Sequence, residues 1–99
     1  MKIEIHSIHF DADEKLEAFI GSKMDKLDQY YDNIINGEVF LRLDKSDSND
    51  NKIAEIKLKI PGNELFVKKQ CKSFEEATDT AVEALRRQVK KHKEKLRKY

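Results

Sequence analysis

The chain has 99 residues, 39% charged and 38% hydrophobic, with a formal net charge of +1, which allows one domain with one modest core and excludes a deep, enclosed active site with its supporting layers. A lone Cys71 excludes an internal disulfide and fits a reducing compartment. Lys2, Glu4 and His6 break up the N-terminal apolar residues and no apolar run approaches the roughly 20 residues of a membrane span, so the expectation is a cytoplasmic protein without signal peptide or membrane contact.

Residues 2–10, KIEIHSIHF, alternate Ile3 and Ile5 with Glu4 and His6, then resume at Ile8 and Phe10 one step out of phase, which predicts a strand with a bulge near Ser7. Asp11 followed by Glu14 reads as a helix start, and Leu16, Phe19, Ile20, Met24, Leu27 and Tyr31 keep helical spacing to about Asp32, with Lys15, Lys23 and Lys26 off the stripe. Gly21 inside this helix costs about 1 kcal/mol relative to Ala, a sign of close packing or of local flexibility. Asn36-Gly37 marks a turn, after which Val39, Leu41 and Leu43 alternate with Glu38, Phe40, Arg42 and Asp44 as a strand. Residues 45–51, KSDSNDN, hold no apolar side chain and form a loop, either a solvated hairpin connection or a recognition loop. Ala54, Ile56, Leu58 and Ile60 make a third strand that stops at Pro61-Gly62, the central pair of a type II turn. Leu65, Val67 and Cys71 line one side of a fourth, where Cys71 reads as a small buried side chain.

Ser73 and Glu76 form a capping box, so a helix starts near Phe74. Phe74, Ala77, Ala81, Leu85, Val89, His92 and Leu96, widened by Val82, give it one apolar side. Its first half carries Glu75, Glu76, Asp79 and Glu83; its second carries Arg86, Arg87, Lys90, Lys91, Lys93, Lys95, Arg97 and Lys98 against Glu94 alone. The helix dipole accounts for one turn of such asymmetry, not three. Residues 86–99 sum to +7 and residues 1–85 to −6, so a near-neutral total hides a basic arm on a mildly acidic body, which points to an anionic partner.

Strand, helix, three strands, helix predicts an α+β fold: a two-layer sandwich, β-α-β-β-β-α, with a four-stranded sheet and both helices on one face, similar in outline to double-stranded-RNA-binding domains. The first strand should run parallel to the second, and the last three as an antiparallel meander. The other sheet face is then wet, with Glu4, Arg42, Glu55, Lys57, Lys59, Lys68 and Lys72, and with Phe40 and Phe66 as apolar exceptions.

Chemistry is absent from the motifs. His6, His9 and His92 have no neighbours at metal-ligand spacing, no phosphate loop or nucleophile motif occurs, and Asp11, Asp13 and Glu14 are explained as helix caps. The expectation is a non-enzyme with no metal, cofactor or small-molecule substrate. At 100° per residue Arg86, Lys90, Lys93 and Arg97 share one flank of the last helix, and Arg87, Lys91 and Lys98 the other. Such a rod tracks phosphates; the plainer alternative is a solvated lysine-rich helix end.

Residues 73–96, SFEEATDTAVEALRRQVKKHKEKL, resemble the closing helix of the ribosome hibernation promoting factors, also called ribosome-associated inhibitor or sigma-54 modulation proteins. Residues 16–34, LEAFIGSKMDKLDQYYDNI, are similar to that family's first helix, and the likeness extends over essentially the whole chain. The resemblance implies a cytoplasmic protein that binds the small ribosomal subunit and its 16S-type rRNA, occluding the mRNA and tRNA channel, with rRNA-facing positions at Lys23, Lys26, Arg86, Arg87, Lys90, Lys91 and Lys93. Residues 9–13, HFDAD, depart from the family's Gly-Arg-His-like turn, which removes the basis for a basic contact there. The chain ends at Tyr99 and so resembles the short form: a single ribosome-binding domain over residues 1–99, without the C-terminal dimerisation domain and a monomer when free. Two other functions stay open, a transcription modulator that binds a sigma factor through the open sheet face, and a general structured-RNA binder.

Overall fold

The computed structural model describes residues 1–45 and 49–96. Its elements are β1 (Lys2–Ser7), α1 (Glu14–Tyr30), β2 (Asn36–Leu43), β3 (Lys52–Ile60), β4 (Asn63–Cys71) and α2 (Phe74–Leu96). The strands form one sheet in the order β1-β2-β3-β4, with β1 parallel to β2 and the other pairs antiparallel. The parallel pair requires a crossover that carries the chain back along the sheet, and α1 is that crossover.

Period-2 alternation decides which side chains meet the helices. Val39, Leu41, Ala54, Ile56 and Leu58 are fully buried from the sheet, and Ile20 and Met24 from α1 and Ala77, Ala81, Leu85 and Val89 from α2 complete the core. The small residues on α2 let that helix lie close to the sheet, while the larger Ile, Met and Leu of α1 fill the space on its side. Gly37, read from the sequence as part of a turn, lies inside β2 and faces the core. A Cβ there would come within 2.6 Å of Met24 Cε, so α1 sits too close for any larger residue without a shift of that side chain. At the β3–β4 hairpin Gly62 has φ +76°, the positive value that the second central position of a type II turn requires.

Three local expectations change. The bulge near Ser7 does not form, since the β1–β2 register is unbroken from Lys2↔Asn36 to Ser7↔Leu41. The phase change comes instead from His9, whose φ of 67° turns the chain so that Phe10 stacks on Phe74 with centroids 4.9 Å apart. The cap of α1 is Asp13 rather than Asp11: its carboxylate accepts the Leu16 N–H at 2.8 Å. Ser73 caps α2 as expected, accepting the Glu76 N–H at 3.0 Å. Cys71 is half-buried against the core. Part of the 45–51 connection, and Arg97 and Lys98 of the basic arm, lie outside the described residues.

Candidate nucleic-acid interface

The two helices run in the same direction, because contacts between them advance together along both. Lys23 Nζ lies 2.9 Å from Asp79 Oδ1, and about two turns further along α1, Tyr30 meets Arg86 and Lys93, which lie about two and four turns further along α2. The seam between the helices therefore changes character along its length. Acids and Lys23 occupy its beginning; cations gather around Tyr30 at its end.

Tyr30 organises that end. Arg86 lies 5.8 Å and Lys93 4.9 Å from its ring centroid, and Lys93 Nζ also donates to the Tyr30 carbonyl at 3.0 Å. The last turn of α1 contains no basic residue, so its unsatisfied carbonyls take a cation from α2 instead. Lys90 joins Tyr30, Lys93 and Glu94 around a shallow cavity of about 130 Å³. Helical geometry puts Lys26, exposed on α1, about 40° from Tyr30 on the solvent side of the same seam. On the far flank, Lys91 and Lys95 border a groove of about 270 Å³ floored by Leu65 of β4, with His92 held T-shaped to Tyr31 at 5.9 Å.

The seven cations singled out from sequence fall into two groups. Three are engaged with the protein itself: Lys23 with Asp79, Arg86 with Glu83 at 3.3 Å, and Lys93 with the end of α1. The first two are partly exposed pairs of the kind worth up to about 1 kcal/mol, which compete weakly against a polyanion. Lys26, Arg87, Lys90 and Lys91 are exposed and make no ion pair among the described residues. Among the described side chains of α2 the last buried one is Val89, so Lys90 and Lys91 follow the part of the helix that packs on the core. An exposed cationic flank without internal ion pairs among the described residues offers phosphates a row of point charges.

Two features were not visible in the sequence analysis. Tyr30 was not singled out, because it lies just off the apolar stripe and its role depends on where α2 runs. Residue spacing gave no metal set, yet the β1–β2 register gathers Glu4, His6 and Glu38 on the outer sheet face with their donor atoms within 4.8 Å of one another. There His6 Nε2 stands 3.6 Å from Glu4 and 3.5 Å from Glu38, an ion pair whenever the imidazole is protonated.

The family model described as sigma 54 modulation protein / S30EA ribosomal protein matches residues 3–97. The ribosome hibernation promoting factor of Escherichia coli (strain K12) is 28% identical over 99 residues, covering 100% of both chains. That of Pseudomonas putida is 28% identical over 95 residues, 96% of this chain and 89% of its own length. Among solved structures, the N-terminal domain of Thermus thermophilus Protein Y matches with a TM-score of 0.80 at 26% identity, over 93% of this chain and 99% of that one. A ribosomal subunit interface protein from Coxiella burnetii matches in fold, with a TM-score of 0.84 at 20% identity over 94% and 98%.

Proposed function

Because the chain belongs to the sigma 54 modulation protein / S30EA ribosomal protein family, we propose that it is a ribosome-associated hibernation factor whose single domain binds the small subunit and occupies the channel used by mRNA and tRNA. The observation that carries this reading is the outward set Arg87, Lys90 and Lys91, cations without an internal partner among the described residues on a helix braced by a sheet. Relatives matching the chain from end to end are named for ribosome hibernation, which supports the same reading.

The mechanism is occlusion. Folded rRNA concentrates phosphate in clefts, and a rigid cationic wedge gains counterion release on entering one without reading any base. Lys26, Arg86 and Lys93 extend the contact across the seam, the latter two held in place by the Tyr30 ring. Lys23 lies at the seam against Asp79, a weak pair that a phosphate can displace, so it joins the same surface. No step of this mechanism makes or breaks a covalent bond.

The test is cosedimentation with purified small subunits on a sucrose gradient, beside a gel shift on free duplex RNA. Charge reversal at Arg87, Lys90 and Lys91 abolishes cosedimentation while the domain still unfolds in one cooperative thermal transition, lowered slightly by the new repulsion with Glu83 and Glu94. Lys93 is left intact in this variant, because its bond to Tyr30 would mix a folding defect with a binding one. Undiminished cosedimentation refutes the assignment, and equal affinity for naked duplex RNA replaces it with general RNA binding.

A further inference from the structure

The outer face of the sheet, away from both helices, carries a second aromatic and cationic surface. Phe66 on β4 is 46% exposed, an unusual position for a large apolar ring on an otherwise polar face. Its cross-strand partner on β3 is Lys57, and Lys57 Nζ lies 5.8 Å from the ring of Phe40 on β2. Phe40 is itself stacked on His6 at 4.9 Å, which fixes the plane of its ring. Two rings thus flank one lysine, about 12 Å apart for two strand spacings and one pleat of offset.

The β3–β4 half of this face is cationic. Glu55 is bound to Arg42, and Glu4 and Glu38 sit beside His6 on β1 and β2. Lys57, Lys59, Lys68 and Lys72 are exposed and make no ion pair among the described residues, against Glu64 as the acid left over on the β3–β4 side. A hydrophobic protein partner would want this apolar area larger and its lysines fewer. A chain with flat faces and one negative charge per unit fits both features at once.

We propose that Phe40, Lys57 and Phe66 form a stacking platform for single-stranded RNA, a second nucleic-acid surface on the opposite side of the domain from α2. The choice of RNA rests on the ribosomal reading above; the platform itself rests on the rings and the unpaired lysines. A base lies on the exposed Phe66 ring, Phe40 holds Lys57 beside it, and the backbone crosses Lys57. In a duplex the bases stack on one another and hide their flat faces, so it cannot use this surface as a strand can.

The chain contains no tryptophan, so Phe66→Trp places a lone reporter on the platform at an exposed position that does not support the core. Titrated with oligouridylate about ten nucleotides long, its emission is quenched, and an RNA duplex of equal charge leaves it unchanged. Phe66→Ala weakens oligouridylate binding about ten-fold at unaltered salt slope, whereas Lys57→Gln makes that slope shallower by about 0.7. The proposal is overturned if the oligomer binds with no change in emission, or if Phe66→Ala binds as tightly as wild type. It is overturned equally by quenching that rises with protein concentration in the absence of RNA, which gives the face to a second copy of the chain. Because α2 is untouched in these variants, failure here leaves the Arg87, Lys90 and Lys91 test standing, and failure there leaves this one.

Discussion

Arg87, Lys90 and Lys91 face solvent without an ion pair among the described residues, so each can neutralise a phosphate without first giving up a partner. Replacing all three with Gln removes three such contacts while keeping the helix propensity close to its present value. Each contact contributes about 0.7–0.9 to the slope of log affinity against log salt, so the variant's slope is shallower by about 2.1–2.7. Raising salt four-fold, from about 50 to about 200 mM, therefore narrows the difference between wild type and variant by about 20- to 40-fold. The assay is pelleting with purified small subunits at several salt concentrations, with free protein quantified in the supernatant. Thermal unfolding of the variant should stay within about 0.5 kcal/mol of wild type, as for other exposed sites away from caps and cores. A constant loss of affinity at every salt concentration, with the slope unmoved, would show that these side chains do not meet phosphates.

Lys93→Met removes the cation at the end of α1 and should lower stability by about 1 kcal/mol, a melting shift of about 4–8 °C, while Lys90→Met leaves the melt in place; equal shifts would disprove the capping role. Gly21→Ala should raise the melting temperature by a similar amount, since a Cβ there meets nothing within 4 Å and the helix gains a better former; a lower melt would mean the site needs glycine. Thr78 is fully buried and its hydroxyl has no hydrogen-bond partner among the described residues, so Thr78→Val should leave stability unchanged or raise it; a drop of more than about 1 kcal/mol in denaturant titration would reveal a partner for that oxygen.

Element order and layering were legible because they depend on patterns internal to each segment. Strand alternation at Val39–Leu41 and Ala54–Ile60, the Pro61-Gly62 turn and the Ser73 cap all act over a few residues, and the structure follows them. The misplaced features depend on distant neighbours. Asn36-Gly37 has turn chemistry, but β1 and β3 pair with it on both sides and the overlying Met24 uses the missing Cβ. Ile8 and Phe10 shifted phase as a bulge would, but Phe10 leaves the sheet to reach Phe74, 64 positions on. The charge of the candidate interface could be read directly, since Lys and Arg are cationic wherever they lie. Which of them are engaged could not: the Lys93–Tyr30 bond spans 63 positions and exists only because α1 and α2 run side by side. The same holds for Phe66, whose neighbour Lys57 is assigned by strand register.

The sheet order leaves β1 and β4 each with one row of backbone groups that no other strand among the described residues pairs. Unpaired rows recruit foreign strands, a hazard that sheet proteins limit at their edges. β1 limits it by being six residues long. β4, at nine residues, carries Lys68 and Lys69 at its centre, and Lys72 just beyond. Two copies brought together along this rim would have to bring those like charges together too, which opposes aggregation along it.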